Sequence, residues 1–215
     1  MKKRRSVLDE EQRSWVRKWW RALQPGEAKE GGQPPPELRG LDRGERAALR
    51  RAADGDALLM ESSTHLLARK LIDLDAGRER RIFRSEDDAY LAIGLAAGVL
   101  AHVREDADDG RSLVRLLGHA SGDRPLMSEL RFKRLLKADE EEDMLRQWRR
   151  AVALADHKAD VAQLADDLLA WQIERAVPPP SASQSVRFRW AYDYYLTTRE
   201  QKAGDEPASI KEINE

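Results

Sequence analysis

The chain has 215 residues, 36% of them charged and 41% hydrophobic, with a net charge of −1. That length supports one or two domains with a real core, and its periodic apolar groups and six tryptophans exclude a disordered chain. The lack of cysteine excludes disulfides, zinc–thiolate sites, iron–sulfur clusters and cysteine catalysis, and the balanced charge leaves any anion binding to local patches.

Residues 1–8, beginning MKKRR, read as a solvated basic tail. No apolar run follows them, so they are not a signal peptide. A helix is expected from Asp9 to Leu23. Trp15, Val16, Trp19, Trp20 and Leu23 recur at the spacing of one buried face. Stacking on bases is another use of such rings, but the spacing already accounts for them as core. A loop spans 25–40, with Gly31-Gly32 and prolines at 34–36. Helices are then expected from Arg43 to Ala53, where Arg46 and Arg50 share a face flanked by Arg51, and from Leu58 to Leu74 in one or two pieces. A basic loop runs from Ala76 to Arg84. Glu86 to Val103 reads as a buried helix with an acidic start, too short for a membrane span.

The acidic stretch Glu105 to Gly110 marks a boundary, giving an N-terminal lobe at 9–107 and a C-terminal lobe at 108–199. Ser112 to Ala120 is a short helix with Arg115 turned outward. Two helices fill Ser128 to Ala155. In the first, Phe132, Leu135 and Leu136 form an apolar side, opposite Arg131, Lys133, Arg134 and Lys137. In the second, Met144, Leu145, Trp148, Val152 and Ala155 form the stripe, and Arg146, Arg149 and Arg150 point away. Asp139 and Glu142 have the spacing of a capping box. Ala159 to Ala176 is another helix. A proline- and serine-rich break at 178–185 precedes an aromatic helix, Val186 to Thr198, and a flexible tail at 200–215. No stretch alternates as a strand does. The expectation is an all-α protein of two packed helical lobes and eight or nine helices.

Enzyme signals are poor. His65, His102, His119 and His157 are isolated, with no metal-ligand spacing. No phosphate loop or nucleophile elbow is present. The acidic runs 105–109 and 139–143 read as solvated helix ends. The expectation is a non-enzymatic protein without cofactor or metal. Arginines recur on the polar sides of amphipathic helices, and a guanidinium is a planar, permanently charged fork that matches phosphate.

The order of motifs adds to this. A tryptophan-bearing first helix is followed by RAALRRA (46–52), GRSLVRLLGHA (110–120), ELRFKRLLKA (129–138), DMLRQWRRAVALA (143–155), LLAW (168–171) and RWAYDYYLT (189–197). This succession, over roughly residues 10–198, resembles the CasB family, the small subunit of the type I-E CRISPR complex Cascade. The proline-rich loop 33–36, the PPPSAS segment and the tail after Thr198 depart from the pattern. The lack of cysteine suits a cytoplasmic location, and no membrane contact is expected; the resemblance implies a non-catalytic, all-α subunit. Its implied partners are the large subunit, the repeated backbone subunits, a second copy of itself, guide RNA and target DNA. It implies sequence-independent binding of the displaced non-target strand, holding the R-loop open. Carried over motif by motif, the binding residues are Arg50, Arg51, Arg115, Arg131, Lys137, Arg149, Arg150, Arg187 and Arg189, with Arg134 added from the shared face. The alternative is a structural adaptor whose basic faces dock acidic protein partners.

Overall fold

The computed structural model describes residues 6–25, 33–79, 81–121 and 124–205. Most of the expected basic tail (1–5), Arg80, the Gly31-Gly32 pair and residues 206–215 lie outside them. Helix α1 (Glu10–Ala22) starts at Asp9, which accepts from the Gln12 amide while the Gln12 side chain accepts from the Asp9 amide, closing a capping box. Its tryptophans are core. Trp19 donates to the Ser63 carbonyl at 2.8 Å and Trp20 to that of Val103 at 3.2 Å.

Helices α2 (Arg43–Arg51) and α3 (Gly55–Leu59) are capped by Asp42 and Asp54. After α4 (Ser62–Ala76) comes α5 (Glu86–Leu100), capped by Ser85 and buried at every position from Ala92 onward. An all-round apolar helix has no face for water, so its neighbours surround it. The second half holds α6 (Leu113–Gly118), α7 (Glu129–Lys137), α8 (Glu141–Leu154), α9 (Val161–Ala176) and α10 (Val186–Asp205). Among the described residues there are ten α-helices, against the eight or nine expected, because 55–59 forms a turn-and-a-half of its own. The all-α expectation holds.

Helices α5 and α9 pack on each other at the centre. Around α5 stand α2, α3, α4 and α8; α1 and α10 close on α9; α6 packs on α8 and α10. The buried apolar residues form one cluster running across the expected lobe boundary at 107–108.

Several local expectations change. Residues 6–8 are not a free arm. Fully buried Asp166 accepts from the Val7 and Leu8 amides at 2.8 Å and from the Ser6 hydroxyl at 2.6 Å, with Arg13 at 3.2 Å, and Leu8 is buried. The acidic stretch 105–109 is not simply solvated. Arg17 lies 3.5 Å from Asp106, 2.7 Å from Asp108 and 3.2 Å from Asp160, tying α1 to that stretch and to the start of α9. Asp139 does not cap α8: the cap is Glu140, without a side-chain bond, and Asp139 instead meets Arg187. Residues 200–205 continue α10 where a flexible tail was expected.

Two short pairings were also not expected. Strand β1 (Glu105–Asp106) runs parallel to β4 (Lys158–Ala159), and β2 (Ala120–Ser121) antiparallel to β3 (Arg124–Pro125). Two residues cannot show alternation, so these pairings left no pattern to read.

Candidate nucleic-acid interface

Helices α7 and α8 each face inward through an apolar stripe, and that fixes where their bases can go. On α7, Phe132 stacks on Tyr194 with centroids 4.0 Å apart, and Leu135 is buried. On α8, Trp148 meets Trp171 of α9 edge-on at 5.2 Å, and Trp171 meets Trp190 of α10 at 5.3 Å. This ladder of indoles holds α8, α9 and α10 in register and turns Arg146 and Arg150 outward.

Two adjoining open hollows result, sharing Arg150 and Ala153 along α8. The first, of about 470 Å³, lies between α7 and α8 and is lined by Arg131, Arg134, Arg150, Gln147, Met127 and Leu154 as well as Ala153. The second, of about 420 Å³, lies between α8 and the ends of α2 and α5. Ala53, His102, Glu142, Arg146 and Arg149 complete its lining. The structure thus brings Arg131, Arg134, Arg149 and Arg150 together around these hollows. Arg131, Arg134 and Arg150 are exposed and form no ion pair among the described residues.

Arg149 does not point away with its neighbours. Its guanidinium donates to the carbonyls of Ala52 (2.7 Å), Leu49 (3.1 Å) and Gly98 (3.2 Å). It clamps α8 to the end of α2 and to α5, and burial pulls its pKa below the usual arginine value. Gly98 permits this: a Cβ there would stand 3.1 Å from an Arg149 nitrogen and under 3 Å from the Leu58 methyls, at 2.7 and 2.8 Å.

Arg50 and Arg51 are exposed at the end of α2. Arg50 is close enough for its charge to press on His102 and Arg46, at the rim of the second hollow. Burial first, then Arg149, Arg50, His157 and Arg46, push the His102 pKa down to about 4, so it is neutral at neutral pH. Arg115 on α6 and Lys137 at the end of α7 are exposed and line neither hollow. Arg187 meets Asp139 at 2.5 Å and lies over the Trp171 ring at 5.0 Å. Arg189 donates to the Gln184 carbonyl and is 4.0 Å from buried Asp167. These two arginines are half-buried against the protein's own groups, away from the hollows.

Sequence reasoning did not select Arg146, His102 or Arg46. Arg146 carried a signal, its place on the basic side of α8. His102 and Arg46 carried none. Arg46 donates to the Ala101 and Val103 carbonyls at 2.9 and 2.8 Å, a fact of tertiary packing alone. The arrangement offers several guanidiniums around two open hollows. Such a surface can hold an anionic chain by its backbone without reading sequence.

Comparison with known proteins agrees with this architecture. The family model for the CRISPR-associated protein Cse2 matches residues 45–195. A curated Cse2 protein from Thermus thermophilus is 38% identical over 102 residues, 47% of this chain and 54% of the relative, so the chain spans about half the length of the curated relative it matches. A crystal structure of a CRISPR-associated, Cse2-family protein from Thermus thermophilus aligns with a TM-score of 0.53 at 26% identity, covering 87% of this chain and 97% of that one. CasB from Thermus thermophilus aligns at 0.51 and 24% identity, over 87% and 97%. A chain of E. coli Cascade, crystallised with a PAM-containing double-stranded DNA target, aligns at 0.54 and 22% identity, over 87% and 95%. The last two show the fold. The chain belongs to the Cse2 family, which bears out the resemblance to CasB.

Proposed function

We propose, starting from that family membership, that the chain is a non-catalytic subunit of a Cascade-type, RNA-guided CRISPR complex in the cytoplasm. In that complex it holds the displaced, non-target DNA strand by its phosphates. The reading rests most on one observation: Arg131, Arg134 and Arg150 line a single open hollow without ion-pair partners among the described residues. Guanidiniums that close no ion pair around a concave surface suit a backbone rail for single strands. Arg50, Arg51, Arg115 and Lys137 extend this basic surface as further phosphate contacts, and Arg149 sets the position of α8 beneath it. Arg187 and Arg189 hold α10 in place. The large subunit, the repeated backbone subunits, a second copy, guide RNA and target DNA complete the assembly.

The physical need is modest. Replacing a DNA duplex by an RNA–DNA heteroduplex is nearly balanced, so a few backbone contacts tip it. A chain of similar fold occurs in E. coli Cascade bound to a PAM-containing double-stranded DNA target, which supports this setting. No helix among the described residues is long and apolar enough to cross a membrane.

The test is single-stranded DNA binding by the isolated protein across a salt series. The three contacts at Arg131, Arg134 and Arg150 alone give a log–log slope near −2, so a fourfold rise in salt lowers affinity roughly 20-fold, and each further phosphate contact steepens the slope. Charge reversal at Arg131, Arg134 and Arg150 should flatten the slope. No binding at low salt would sink the proposal and leave an adaptor that docks acidic protein surfaces.

A further inference from the structure

Helix α10 spends two of its aromatic rings on the core and leaves others outside. Trp190 and Tyr194 are buried, whereas Phe188, Tyr192 and Tyr195 are 47%, 41% and 40% exposed. At about 100° per residue, those three and Arg199 fall within a wedge of about 60°. Phe188 and Tyr192 stand side by side, ring centroids 6.5 Å and planes 27° apart. That separation is close to two base rises of about 3.4 Å each.

An uncovered apolar stripe marks a macromolecular contact, and the surrounding charge indicates which kind. Between Val186 and Glu200, the carboxylates of α10 are Asp193 and Glu200; both fall outside the wedge, while exposed Arg199 closes it. The carboxylate beside Tyr195 is Glu129, which accepts the tyrosine hydroxyl at 3.3 Å and is paired with Lys133 at 2.7 Å. On α7, Phe132 meets Tyr195 edge-on at 5.9 Å, and its neighbours Arg131 and Arg134 line the α7–α8 hollow. Tyr195, one end of the stripe, therefore meets the same helix as the phosphate rail, on its other side. Rings beside a basic rail are how sequence-blind proteins take hold of unpaired bases.

We propose that Phe188 and Tyr192 form a stacking platform for an unpaired base of the strand whose backbone rests on α7 and α8, with Tyr195 extending it. This deepens the strand-binding reading and rests on it. The ligand is then single-stranded, since a duplex offers no free base face to α10.

The experiment uses the full chain, a mixed-sequence single-stranded oligodeoxynucleotide and an abasic oligomer of equal length, at low salt. The wild-type protein should bind the base-bearing strand about 5-fold tighter or more. Combined Phe188→Leu and Tyr192→Leu should bring that ratio close to one and leave abasic binding unchanged. Leucine keeps the stripe apolar, so a ratio that survives the substitution overturns stacking and assigns the face to apolar docking of a protein. Equal wild-type affinity for both strands also overturns it, with phosphate binding intact. Absence of binding to either strand removes both readings.

Discussion

Arg149 donates to three backbone carbonyls of α2 and α5, while Arg150, the next residue, lines both hollows. A single step along α8 separates a clamp from an open contact. Arg149→Ala should therefore cost stability, about 2–4 kcal/mol, because carbonyls bonded to a charged donor lose it together. Arg150→Ala should stay within about 0.5 kcal/mol yet weaken single-strand binding. Urea unfolding and DNA titration of both variants separate these effects. Equal stability of the two variants would refute the clamp.

Gly98 and Arg149 should be energetically coupled. Gly98→Ala pushes a methyl against the Leu58 side chain and the Arg149 guanidinium, an overpacking expected to cost about 1–3 kcal/mol. In the Arg149→Ala background part of that cost should vanish. A double-mutant cycle measures the difference, and strict additivity would mean the two residues do not share the site.

The Asp166 carboxylate should anchor the start of the chain. It is buried and serves two amides, the Ser6 hydroxyl and Arg13. Asp166→Ala leaves these donors unpaired and should lower stability by about 3 kcal/mol. Limited proteolysis should then cut before α1 sooner than in the wild type. An unchanged cleavage pattern would show that the segment is held by other means.

Acid should weaken the fold partly through His102. Its folded pKa, about 4, lies below the ordinary histidine value of 6.5. The unfolded chain therefore binds the proton first, and the contribution of neutral His102, complete above pH 6.5, is lost as pH falls towards 4. Burial raises Asp106 and Glu174 above the usual carboxylate range, which gives the opposite slope. The comparison with His102→Gln isolates the histidine: the variant should lose less stability between pH 6.5 and 4. Parallel stability curves would contradict this.

Much of the fold was legible because periodicity reports burial. The tryptophans of α1, the all-round apolar α5 and the stripes of α7 and α8 are each explained by a face that must leave water. Arg131, Arg134 and Arg150 were legible for the same reason, as the residues left opposite those stripes. Arg149 was not. Its neighbour Trp148 is core, and only the arrival of the Leu49, Ala52 and Gly98 carbonyls turns its charge inward. Asp139 and Glu142 fitted the spacing of a capping box, but the partner Asp139 meets is Arg187, on a distant helix. Arg17 and Asp160 were hidden likewise, since local pattern carries no record of a contact between α1 and α9.

The two hollows also differ in how far the chain must travel to build them. The lining of the first comes from Met127 to Leu154, a helical hairpin of neighbouring elements. The second depends on a bond from Arg149 to Leu49, a hundred positions away. Short loops close quickly and long ones late. The α7–α8 hollow is thus lined from one local hairpin, while the second hollow is completed only when distant parts of the core have met.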